Sequence, residues 1–173
     1  MFAVLEKSSS QLLIKNLKNE IVNKGVLPIE IADANAIFYA GNGTLLCRAG
    51  ENRLFIFHLQ WWLVLADLQV DYAKHIVWSN DFERVAFYRK HCVCVTDKRL
   101  VCLTSFYERS NVKGGAWNDD GVFIYSTITH IKYCLPNGET GIIKTLDFPI
   151  YITKICGNRI FYFDRRENSA DYC

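Results

Sequence analysis

Short apolar runs separated by polar turns cover the chain from end to end. Phe2 to Leu5 is apolar, Glu6 to Ser10 is polar, and Gln11 to Leu17 resumes the apolar pattern, which spells strand, turn, strand. Ala36–Ala40, Thr44–Arg48, Leu54–Phe57 and Leu63–Leu68 form a set of four further strands. A second set follows in Ile76–Ser79, Arg84–Tyr88, Cys92–Thr96 and Leu100–Ser105, and a third in Gly115–Trp117, Val122–Ser126, His130–Cys134 and Gly141–Leu146. Tyr151–Ile155 and Ile160–Phe163 begin a fourth set. Only Gln11 to Val22 leaves helix and strand both open, because no stretch of a dozen residues carries a 3.6-residue period with caps. The pattern predicts an all-β chain.

The sets repeat at a nearly fixed step. Ile76-Val77-Trp78-Ser79-Asn80-Asp81 and Gly115-Ala116-Trp117-Asn118-Asp119-Asp120 each lead an apolar approach through Trp into a polar turn, 39 residues apart. Phe38 lies 40 residues before Trp78, and Lys154 lies 37 residues after Trp117, each in a similar frame. Units of about 40 residues with four short strands are the signature of a propeller blade. A single blade cannot cover its own apolar faces and must stack on its neighbours, so the first two strands of each blade are expected to be the most apolar. The fold predicted is a partial β-propeller of WD-repeat type, with about three to four four-stranded blades over residues 1–164 and a divergent tail over 165–173. Three full blades with parts of others do not obviously close, which predicts exposed apolar blade faces and poor solubility.

Composition adds aromatic weight: Phe 11, Tyr 9 and Trp 4 favour strands, whose pleated surfaces take flat side chains well. The formal net charge is +2, with Lys and Arg scattered, so no basic stripe of the kind that binds nucleic acid is present. Seven cysteines stand at 47, 92, 94, 102, 134, 156 and 173 without the two paired clusters that a zinc site needs. Cys92 and Cys94, two apart, are expected on the same side of a sheet. No charged segment followed by an apolar one opens the chain, so reduced thiols and a cytosolic setting are the expectation. Asn42-Gly43-Thr44 matches a glycosylation acceptor, but Asn-Gly is also the preferred centre of a two-residue hairpin turn, and the turn is the expected role.

Candidate chemistry is thin. Asn80-Asp81 and Asp119-Asp120 are better explained as turn residues than as facing carboxylates, because neighbours in a turn point apart. His58, His75, His91 and His130 are dispersed beside apolar strands and are expected to be partly buried and satisfied. Gly41-Asn42-Gly43 lacks the third glycine and following helix of a phosphate loop. No catalytic, cofactor-binding or metal-binding residue is therefore assigned, and no enzyme is expected. Trp61-Trp62 is the unusual local feature: an exposed pair would be a hot-spot candidate on an interaction surface, whereas the other reading packs one ring in the core and lays the other over a hairpin, and the two are evenly matched.

Several strings resemble the alpha subunit of coatomer. They include Phe2-Ala3-Val4-Leu5-Glu6, Ala36-Ile37-Phe38-Tyr39-Ala40-Gly41, Val77-Trp78-Ser79-Asn80-Asp81 and, most specifically, His130-Ile131-Lys132-Tyr133-Cys134-Leu135-Pro136-Asn137-Gly138. Departures gather between His58 and Ser105, at Trp61-Trp62, Asp71-Tyr72 and Cys92-Val93-Cys94, and again from Arg165 onward. The resemblance implies the WD-associated region of that family's second β-propeller. By that resemblance the chain is a structural segment of the COPI vesicle coat in Golgi-to-endoplasmic-reticulum and intra-Golgi transport. Its partners would be the other coatomer subunits, its place the cytoplasm and the Golgi surface, with no nucleic acid or small-molecule substrate. The family's cargo-binding first propeller and its helical solenoid have no counterpart here, so no family binding residue is carried over. A diverged interaction module working outside the coat is the alternative.

Overall fold

A computed structural model describes residues 1–50, 52–70 and 73–164. Asp71-Tyr72 and the tail 165–173 lie outside the described residues. The described residues are almost entirely strands and turns, with one 3-10 turn at Ile29–Ile31. They form five antiparallel sheets, each built from consecutive strands. Two compact units account for them: Met1–Ala73 with Asp97–Val101, and Lys74–Thr96 with the described residues from Cys102 on.

The first unit holds two sheets. One has three strands, β1 (Phe2–Glu6), β2 (Gln11–Lys15) and β3 (Ile21–Val26). The ambiguous Gln11–Val22 stretch is thus resolved as strand, turn, strand. The Asn16 side chain makes the turn, accepting the amide protons of Lys18 at 2.9 Å and Glu20 at 3.0 Å. The other sheet is a four-stranded blade of β4 (Ala34–Tyr39), β5 (Thr44–Ala49), β6 (Arg53–His58) and β7 (Leu63–Gln69). Its first hairpin turns at Asn42-Gly43 as expected. Gly41, Asn42 and Gly43 have φ of 78°, 45° and 72°, and the Thr44 amide bonds the Gly41 carbonyl at 2.8 Å. Positive φ at both central positions is the hairpin geometry that Asn and Gly tolerate best. Leu12, Leu27, Ile31, Leu45, Phe55 and Phe57 form the core of this unit, between the two sheets.

The second unit holds three sheets in sequence. The first comprises β8 (His75–Trp78), β9 (Arg84–Tyr88), β10 (Cys92–Asp97) and β11 (Cys102–Tyr107). The next comprises β12 (Gly114–Trp117), β13 (Phe123–Ser126), β14 (His130–Cys134) and β15 (Thr140–Thr145). The last pairs β16 (Ile150–Cys156) with β17 (Arg159–Asp164). Val93, Val95, Trp117, Phe123 and Tyr125 fill the space between the first two sheets. Ala116, Ile131, Ile150, Ile152 and Ile155 fill the space between the second and third. The core lies between sheets, as a stack of blades requires. Two leading strands approach so closely that a Cβ on Gly114 of β12 would stand 2.7 Å from the Ile152 carbonyl oxygen of β16. Ser126 ties the same region together by donating to the Ile150 carbonyl at 2.7 Å.

Two sequence expectations shift. In the first two four-stranded sheets burial peaks in the second and third strands, so that β8 has no fully buried residue whereas β9 is buried from Val85 to Tyr88; in the third sheet it peaks in the first two, β12 and β13, as expected. A middle strand is paired on both edges and covered on both faces, while a first strand keeps one edge open. The strand placed at Leu100–Ser105 begins instead at Cys102. Asp97 captures the preceding turn, its Oδ1 accepting the amides of Arg99 and Val101 at 2.8 Å each, and this sets Leu100 at φ 63°. Exposed apolar side chains mark β3 (Ile21, Val22, Val26) and β17 (Phe161, Tyr162, Phe163).

Candidate interaction surface

Trp61 and Trp62 sit in the turn between β6 and β7, and consecutive positions send their rings to opposite environments. Trp62 adopts φ 54°, donates its indole N–H to the Val26 carbonyl at 2.8 Å, and packs edge-on to Phe57 at 5.3 Å. Gly25 of β3 is required beneath it, since a Cβ there would collide with the six-membered ring of Trp62. Trp61 is 63% exposed and stacks on His58 at 4.0 Å and 11°. His58 Nδ1 accepts the amides of Gln60 and Trp61 at 3.2 Å each, so the imidazole both holds the turn and supports the exposed ring. The pair is split: Trp62 is half-buried against the core, and Trp61 alone is exposed, on the hairpin turn. A rigid aromatic displayed on a braced turn is the kind of group that anchors protein interfaces.

The polar turns of the 39-residue repeat meet one another within the second unit. Asn80 donates to Asp119 Oδ1 at 3.0 Å, and the Gly157 amide donates to Asp119 Oδ2 at 3.2 Å. Asp119 therefore links the corresponding turns of three successive sheets. Asp81 is held within its own turn, accepting the Ser79 hydroxyl at 2.5 Å and the Glu83 amide at 3.0 Å, and these bonds keep its carboxyl below the usual carboxylate value. Asp120 Oδ2 accepts from Asn118 at 3.3 Å. These carboxylates are occupied with turn construction.

The histidines likewise occupy separate places. His91 Nδ1 lies 3.0 Å from the Glu108 carbonyl oxygen, and His130 Nδ1 lies 2.8 Å from Thr129 Oγ1. Partial burial was expected of all four; His58, His91 and His130 meet it, but His75 is exposed at the start of β8 and stacks on Tyr88 at 4.8 Å. Partial loss of water around the ring, although the residue is exposed, and then the Lys74 charge lower the His75 pKa below its ordinary value. Among the described residues, no group of three or more His, Cys, Asp or Glu side chains is placed to hold a metal ion.

Sequence reasoning missed one polar cluster. Glu108, 6% exposed, accepts the Tyr125 hydroxyl at 2.9 Å, the Lys132 ammonium at 2.6 Å and the Ser110 amide at 3.3 Å. Burial alone pushes the Glu108 carboxyl up, but the bonds from Lys132 and Tyr125 outweigh it and hold the group below its ordinary value of 4.5. Burial and the adjacent Glu108 carboxylate both push the Tyr125 phenol well above the normal tyrosine range. The cluster joins two successive sheets by a charged hydrogen-bonded bridge, which gives it a structural role.

The thiols divide by face. Cys47 and Cys134 are buried, which pushes their pKa values to about 12 and about 11. On β10, Val93 and Val95 face inward while Cys92 is exposed and Cys94 half-buried, so the two cysteines share a face as expected.

Against known proteins, the family model described as COPA/B second beta-propeller matches residues 1–164. The chain belongs to the COPA/B second beta-propeller family. Coatomer subunit alpha-2 of Arabidopsis thaliana is 58% identical over 164 residues, 95% of this chain. The coatomer subunit alpha named as putative in Schizosaccharomyces pombe is 35% identical over 171 residues, 99% of this chain. This family member spans only 13% of the first relative's length and 14% of the second's. Among solved structures, dihydro-heme d1 dehydrogenase NirN in complex with DHE superposes with a TM-score of 0.62 over 84% of this chain and 35% of that one, at 11% identity. That distant likeness speaks to the fold alone, and the fold is that of a partial β-propeller.

Proposed function

We propose that the chain is a structural segment of the COPI vesicle coat, acting as a rigid scaffold in Golgi-to-endoplasmic-reticulum and intra-Golgi transport. The observation that carries this reading is the family match over residues 1–164 together with 58% identity to a coatomer alpha subunit. Its partners are then the other coatomer subunits, and it reaches the Golgi surface peripherally, through the coat, from the cytoplasm. Among the described residues no helix is long and apolar enough to cross a membrane. Residues 1–164 are taken as one partial propeller and 165–173 as a tail. A non-catalytic role is supported by where the chemistry-bearing groups go: Asp81, Asp119 and Glu108 are each committed to hydrogen bonds that build turns or join sheets.

Trp61, displayed on its His58 support, is the residue proposed to contact a coat partner. Affinity capture of the tagged chain from cytosol, read by mass spectrometry, tests the assignment. Recovery of coatomer subunits is the expected result. Stable recovery of other proteins with no coatomer subunit would favour the diverged module outside the coat.

A further inference from the structure

The Cys94 and Cys102 sulfurs lie 3.9 Å apart on one face of the β10–β11 hairpin. Register explains the meeting. Cys94 stands opposite Ser105 and Cys102 opposite Thr96, with a bulge between Val95 and Thr96. The two cysteines are thus diagonal neighbours on the same face across that irregularity. A disulfide needs the sulfurs at about 2.05 Å, so closure asks for an approach of roughly 2 Å. That movement is available because β11 is the terminal strand of its sheet, held on one edge by β10. Cys92 stands opposite Tyr107, and the Cβ atoms of successive same-face positions along a strand are about 6.5 Å apart, beyond the roughly 3.5–4.5 Å that a bridge from Cys92 to Cys94 would need.

From this geometry we propose that Cys94 and Cys102 form a reversible modification site, a dithiol oxidised to an intramolecular disulfide by small-molecule disulfides of the glutathione class. Cys102, exposed, attacks one sulfur of the small disulfide as its thiolate, forming a mixed disulfide and releasing one small thiol. Cys94 then gives its proton to the solvent, and its sulfur attacks the Cys102 sulfur. The second small thiol leaves, and the Cys94–Cys102 bond remains. Two protein thiols are oxidised and one small disulfide is reduced to two thiols. The order follows from the environments. Burial first, and the neighbouring Cys102 sulfur second, push the Cys94 thiol up to about 12, which suits it to the resolving role and not to the first attack. The product ties the outer strand of the blade to the strand inside it.

The test is peptide mapping of the whole chain after oxidised glutathione in non-denaturing buffer, with free thiols alkylated. Trypsin cuts at Lys98 and Arg99 between the two cysteines, so the bridge appears as peptide His91–Lys98 joined to Leu100–Arg109. The expected result is that pair as the dominant linkage, kept in Cys92→Ser, lost in Cys102→Ser, and reversed by reduced glutathione. Fragmentation of the wild-type pair between Cys92 and Cys94 assigns the bond even if a variant misfolds. A stable glutathione adduct on Cys102 without a bridge, a linkage through Cys92, or scrambled pairs drawing in buried Cys47 and Cys134 would overturn the proposal.

Discussion

The second and fourth strands of each four-stranded sheet differ sharply in burial. In β5, β9 and β13 burial is nearly continuous, with Leu45, Leu46, Val85, Ala86, Phe123 and Tyr125 at 3% exposure or less. In β7 the pattern alternates strictly between exposed and half-buried, and in β15 five of six positions are exposed or nearly so. The chemistry of the residues does not explain this, since β7 reads Leu-Val-Leu-Ala-Asp-Leu-Gln and β15 carries two isoleucines. Position in the ladder does. A second strand has partners on both edges and sheets on both faces, whereas a fourth strand ends the ladder. Burial is therefore concentrated away from the fourth strands, which are free to carry exposed thiols, aromatics and charge.

The sharpest break of that comparison is a matched pair of truncations in one sheet. Phe123→Ala on β13 is expected to cost about 3–5 kcal/mol, the usual range for removing a buried aromatic. Ile143→Ala on β15, where Ile143 is 50% exposed, is expected to stay within about 0.5 kcal/mol. Denaturant midpoints measure both, and equal losses would remove the contrast.

Smaller effects come from the buried bridge. Lys132→Met leaves the Glu108 carboxylate without its cation and is expected to cost about 2 kcal/mol near neutral pH, a value lowered because the Lys132 side chain is 22% exposed. The sign with pH follows from the depressed Glu108 value. Its contribution is present above the ordinary 4.5 and is lost as pH falls through the lower folded value, so the gap between wild type and variant narrows in acid. Denaturation curves from neutral pH to below 4 would show it, and a gap that widens in acid would contradict the bridge. Tyr125→Phe removes one bond to the same carboxylate and is expected to cost about 1–1.5 kcal/mol. Smallest of all, Trp61→Ala should leave the thermal midpoint nearly unchanged, within about 0.5 kcal/mol, while weakening capture of coat partners.

Much of this architecture is written in local pattern. Asn42-Gly43 announces its turn because few residue pairs accept positive φ twice in succession. The Trp78 to Trp117 spacing announces the blade repeat because each blade repeats one burial problem. Other features depend on which atoms meet across space. Glu108 has partners 17 and 24 residues away, and nothing beside it in the chain marks it for burial. The spacing of Asn80, Asp119 and Gly157 is visible as a period, but their hydrogen bonds from turn to turn are not. β3 escaped notice because it is exposed along nearly its whole length and shows no alternation to read. The two tryptophans could not be ranked because neither residue type nor position separates neighbours in a turn; the carbonyl of Val26 does.

The central claim, that residues 1–164 are a working piece of a coat subunit's second propeller, is tested most directly by exchange. These residues replace the 58%-identical segment of the Arabidopsis thaliana coatomer alpha-2 subunit, and co-purification of the chimera with the other coatomer subunits is measured. Stoichiometric assembly indistinguishable from that of the unmodified subunit is the predicted result. A soluble, folded chimera that leaves the other subunits behind would contradict it.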